Sequence, residues 1–98
     1  MTNFKKEQNV NIRQVNLRID KIDDLKNFVN LAGKLKSNTE VVSGRFIVDA
    51  KSIMGMLSLN LSQPVSLIIR SIDDSETEDF LDEINALIVE PENNTTKS

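Results

Sequence analysis

The apolar residues of this chain recur with two different periods, and the switching between them limits the fold more than any other feature. Ile22, Leu25, Phe28, Val29, Ala32 and Leu35 follow the i, i+3, i+4, i+7 spacing of an amphipathic helix, with Asp20, Asp23 and Asp24 where a helix N-terminus favours negative charge. This predicts a helix over 21–36. Before it, from Val10 to Ile19, apolar residues alternate but change phase near Arg13 and Gln14. One strand over about 12–19 is expected there, with a bulge or an irregular start.

The alternating pattern returns in TEVVSGRFIVD, residues 39–49, where β-branched residues flank Ser43-Gly44 and predict two antiparallel strands joined by a tight turn. Residues 52–61 form an apolar run interrupted by Gly55, which suits a short helix opening at Ser52 with that serine as its cap. After Pro64, VSLIIRSI reads as a buried strand, since proline sits naturally before a strand rather than within its ladder. Ser75 followed by Glu78 has the form of a capping box, and Phe80, Leu81, Ile84, Leu87 and Ile88 give the stripe of a last helix. The order is strand, helix, strand, strand, short helix, strand, helix. Helices that each need one cover, combined with hairpin-linked strands, imply an α+β domain: a four-stranded antiparallel sheet covered on one face by the helices.

Ninety-eight residues suffice for a single core. The folded domain is expected over 10–90, with a flexible segment at 1–9 and a disordered tail at 91–98, where MTNFKKEQN and PENNTTKS offer little to pack. No stretch approaches the roughly 20 apolar residues of a membrane span. The opening residues also lack the apolar run of a signal peptide, so a cytoplasmic location without membrane attachment is expected. Eleven of the twelve basic side chains lie before residue 71, whereas nine of the fifteen acidic ones lie after it. An acidic final helix argues against general nucleic-acid binding.

The chain has no His and no Cys. The usual general base near neutral pH, the usual metal ligands and the best nucleophile are therefore missing, and no cofactor, metal or catalytic residue is expected. Its three glycines are isolated at 33, 44 and 55, so there is no phosphate-cradling loop. The adjacent carboxylates Asp23-Asp24 and Asp73-Asp74 fit dipole and turn chemistry better than a cation site or an acid/base pair. Ser52 has two readings that hold together: a hydroxyl capping the short helix, or the acceptor of a phosphate that would lie on free backbone amides with Lys51 beside it. Ile53, Met54 and Leu57 share this helix, either as core or as a contact patch.

The segment VDAKSIMGMLSL, residues 48–59, resembles the signature around the regulatory serine of HPr, the histidine-containing phosphocarrier protein of the bacterial sugar phosphotransferase system. The match is specific over Lys51-Ser52-Ile53-Met54-Gly55 and Leu57 to Leu59, and agrees in pattern elsewhere between about 10 and 90. The resemblance implies an open-faced β-sandwich of four antiparallel strands and three helices. It also implies that the family's phosphoryl-accepting His falls at Lys21, with Asp23 and Asp24 where Arg and Pro would lie. An amine beside two carboxylates would repel a phosphoryl donor. What survives is the serine segment, as in catabolite-repression HPr. The expected role is regulatory or binding rather than enzymatic: Ser52 as phosphorylation site; Lys51, Ile53, Met54 and Leu57 as partner surface; and an HPr kinase/phosphorylase and a sugar-responsive repressor as partners. The alternative is a scaffold with neither phosphorylation function. Asn60 and Pro64 stand where the family has Gly, so the loop before the last strand departs from its pattern.

Overall fold

The computed structural model describes residues 10–89; the expected segments at 1–9 and 91–98 lie outside them. The elements are β1 (Asn11–Leu17), α1 (Ile22–Ala32), β2 (Asn38–Ser43), β3 (Phe46–Asp49), α2 (Ile53–Leu57), β4 (Val65–Ser71), α3 (Asp74–Glu83), a 3₁₀ turn (Asn85–Leu87) and β5 (Ile88–Val89). All strand pairings are antiparallel, in the order β3-β2-β4-β1-β5. The α+β architecture with three helices is as expected, but the sheet has five strands rather than four.

The fifth strand arises where the last helix was expected to continue. Ile84 closes α3, and the Leu87 N–H bonds Ile84 O at 2.8 Å in a tighter turn. Ile88 and Val89, both β-branched and poor helix residues, then pair with Leu17 and Asn16, and the Arg18 N–H reaches Leu87 O at 2.8 Å. The expected capping box also differs. Asp73, not Ser75, caps α3, its Oδ1 accepting from Ser75 N–H at 3.0 Å and Glu76 N–H at 3.2 Å.

β1 carries no bulge in its pairing with β4: Asn11 to Leu17 lie opposite Ser71 to Val65 without a break. The change of apolar phase has a simpler origin, because Ile12 is exposed on the uncovered face while Val15 and Leu17 face the helices. Likewise α1 stops at Ala32 rather than 36. The Lys34 and Leu35 N–H groups bond Leu31 O and Ala32 O in tight turns that keep Leu35 on the buried side. The β2–β3 turn is built as expected, with Gly44 at φ 61 in the position where a two-residue hairpin loop requires the left-handed region.

One core lies between sheet and helices. Leu17, Val41, Val65, Leu67 and Ile69 supply its floor, and Leu25, Phe28 and Ala32 of α1, Met56 of α2, and Phe80, Leu81 and Ile84 close it from above. The Phe28 and Phe80 rings meet at 6.0 Å between centroids, joining α1 to α3. At its acidic end α3 is held by polar contacts instead. A buried Ser71–Thr77 hydroxyl pair lies at 2.6 Å, Arg13 bonds Glu78 at 2.8 Å, and Glu76 accepts from Lys36 N–H at 2.9 Å. Among the described residues no helix is long and apolar enough to cross a membrane, and no cluster of three or more acidic side chains is placed to hold a metal ion.

Candidate functional site

The short helix α2 is positioned by the turn that leaves β3. Asp49 closes that turn: its Oδ1 accepts from Lys51 N–H at 2.8 Å and its carbonyl from Ser52 N–H at 3.0 Å. Ser52 then sits in extended conformation (φ -106, ψ 112) as the N-cap, its Oγ accepting from Gly55 N–H at 3.0 Å. The predicted cap is therefore present. The contact uses an oxygen lone pair and leaves the hydroxyl's own proton available. Ser52 is half-buried.

Gly55 is required by close approach. A Cβ there would lie 3.1 Å from Val48 Cβ and 3.3 Å from Ser52 Oγ. Gly55→Ala gains helix propensity of up to ~1 kcal/mol but crowds both neighbours, and overpacking costs about 1–3 kcal/mol. The expected net result is a loss of about 1 kcal/mol, read as a lower midpoint in thermal melting. A midpoint equal to or above that of the native chain would show that the strand and cap yield without strain.

The proposed neighbours of Ser52 divide. The Lys51 ammonium donates to Leu35 O at 2.9 Å, so it is anchored on the loop after α1. Ile53 is half-buried against the core, and the run's remaining methionine, Met56, is fully buried. Met54 and Leu57, by contrast, are 74% and 51% exposed. The contact-patch reading thus suits two of the three apolar residues.

Lys21 is the N-cap residue of α1 (φ -119, ψ 146), exposed and without a side-chain capping bond, and Asp23 and Asp24 occupy the first turn. It lines a shallow cleft of about 310 Å³ with Ile19, Asp20, Ile22, Leu25, Leu57, Leu61 and Ser62. The cleft brings the start of α1 and the end of α2 together, and Leu57 belongs to both features. Ile22 was read as part of the helix stripe, yet it is 53% exposed at the cleft's rim. Its place in the first helical turn, ahead of the buried Leu25 and Phe28, is the signal that marks it as peripheral.

A sheet bare on one face, three helices on the other, and a hydroxyl capping the middle helix define a small scaffold that presents a surface serine. The family model described as the PTS HPr component phosphorylation site matches residues 25–90, more than half of the chain, and this span contains Ser52. The chain belongs to the HPr family. In structure it is similar to HPr-C-His from Thermoanaerobacter tengcongensis, at 28% identity over 76% of this chain and 92% of that one, with a TM-score of 0.62. It is also similar in fold to a phosphocarrier protein HPr from Bacillus anthracis str. Ames, at 19% identity over 83% of this chain and 99% of that one, with a TM-score of 0.59. A search of curated proteins gives no significant match.

Proposed function

We propose that this protein is a regulatory member of the HPr family, in which Ser52 accepts phosphate from an ATP-dependent kinase and no histidine relay operates. The observation that carries the proposal is the pairing of the serine segment Lys51 to Gly55, which sets half-buried Ser52 at the start of α2, with the absence of any His in the chain. The hydroxyl oxygen attacks the γ-phosphorus of ATP, its proton passes to a base on the kinase, the bond from that phosphorus to the bridging oxygen breaks, and the nucleoside diphosphate leaves. The phosphate then replaces the hydroxyl as acceptor for the amides at the start of α2, adding about two negative charges beside exposed Met54 and Leu57. Those two residues, with half-buried Ile53 and with Lys51 once it leaves Leu35 O, form the partner surface.

The partners in this reading are an HPr kinase/phosphorylase and a sugar-responsive repressor in the cytoplasm, and no catalytic role is assigned to the chain. One observation favours a second reading: Ser52 Oγ already has a structural task as the cap of α2. A scaffold that uses Ser52 only in this way would bind its partner regardless of phosphorylation. Titration of a sugar-responsive repressor with kinase-treated protein, untreated protein and Leu57→Asp separates the two. Binding that needs treatment and is weakened at least ~10-fold by Leu57→Asp supports regulation, since an ion placed in an apolar contact is strongly disfavoured. Binding indifferent to treatment supports the plain scaffold.

A further inference from the structure

The two sides of the sheet are unlike. On one, the two-residue β5 covers only Asn16 and Leu17 of β1, and the rest of that strand carries Arg13, bound to Glu78 of α3, and starts close to the limit of the described residues. β3 is the other edge, four residues long, with no proline, no lysine and an unbroken register against β2. Phe46 and Ile47 stand 64% and 62% exposed on it, on opposite faces of the sheet.

The hydrogen-bonding phase of β3 follows from one contact. Ala50 N–H bonds Thr39 O at 3.2 Å, so Thr39 and Ala50 form a bonded pair. Alternation along an antiparallel ladder then makes Val41–Val48 and Ser43–Phe46 bonded pairs as well. The backbone groups of Phe46 and Val48 are thereby used within the sheet. Those of Ile47, together with the Asp49 amide, point away from β2 toward the free edge.

We propose that a second copy of this chain adds to this edge, β3 against β3 in antiparallel fashion about a two-fold axis at Ile47, with Arg45 of each copy opposite Asp49 of the other. In this register Ile47 faces its symmetry mate with outward N–H and C=O groups matched, and Phe46 faces Val48 on the helix side. Arg45, in the turn just before β3, and Asp49, at its end, are both exposed and come opposite each other twice. Sliding one strand by a single residue sets outward groups against inward ones and breaks the ladder. Sliding by two puts Arg45 opposite either Lys51, a like charge, or Ile47. Only the two-fold register centred on Ile47 satisfies backbone and charge together, and such self-complementarity is what a symmetric dimer requires.

A junction of four-residue strands is small beside standard interfaces of roughly 1,200–2,000 Å², so the dimer is expected to be weak and is sought at concentrations up to about 1 mM. Sedimentation equilibrium across that range should show the mass rising from 11.0 kDa toward twice that value. Arg45→Glu alone and Asp49→Lys alone each create two like-charge pairs and should remain monomeric. Their equimolar mixture pairs Glu with Lys and Asp with Arg, and should dimerise as the native chain does. Asp49→Lys also removes the acceptor of the Lys51 amide, so circular dichroism checks that it folds. Ile47→Pro gives an independent variant, since it deletes only an outward-facing amide and should abolish the dimer. A native chain that stays monomeric throughout, a dimer that persists in the single variants, or folded variants whose mixture stays monomeric would each overturn the proposal.

Discussion

Phe28→Ala is expected to lower stability by about 3–5 kcal/mol, the largest loss from any single truncation considered. Phe28 is fully buried, lies at the centre of α1 and touches Phe80 of α3, so its removal opens a cavity under two helices at once. Small domains hold only about 5–15 kcal/mol in total, so the variant should be marginally folded. Urea unfolding followed by circular dichroism reads this as a much lower midpoint at unchanged slope. A loss below about 1.5 kcal/mol would mean that the helical layer closes over the gap and that the ring contact does not anchor it.

The second large effect is a null. Mixed with the phosphoenolpyruvate-charged donor that serves HPr proteins, this chain should take up no label, while a normal HPr in parallel becomes labelled. Lys21→His alone should stay at or near background. The new imidazole would stand among Asp20, Asp23 and Asp24 rather than beside a cation, and a phosphoryl donor approaching that cluster meets like charge. Stable incorporation into the native chain would show that another group accepts phosphate, and incorporation into Lys21→His would show that these carboxylates do not exclude the donor.

Much of this fold is legible from local pattern, and the exceptions share a cause. The stripe Leu25, Phe28, Ala32, the glycine turn at Gly44 and the strand after Pro64 each rest on short-range physics that the structure leaves undisturbed, although β4, expected as buried, buries only alternate residues. The end of the last helix does not. Ile84, Leu87 and Ile88 suit a helical stripe and a strand equally well, and what decides is the edge of β1, which offers Leu17 as a partner. The cap of α3 lies at Asp73 rather than Ser75 because Asp73, also a good capping residue, reaches two amides at once.

At the candidate site the same division holds. That Ser52 caps α2 follows from its own hydroxyl and the residues just after it. Which apolar neighbours stay outside does not, because it depends on how five residues of helix lie across the sheet: Met56 is turned in, and Met54 and Leu57 are turned out. The anchoring of Lys51 on Leu35 O is a contact between residues 16 apart, invisible to any local reading.

The central claim is that Ser52 is the phosphate acceptor of this chain. Incubation with an HPr kinase and ATP, followed by intact-mass measurement, tests it most directly. The predicted result is a gain of one phosphoryl group by the native chain and none by Ser52→Ala. An unshifted native mass beside a normal HPr that shifts in the same reaction, or an equal gain by the alanine variant, would contradict it.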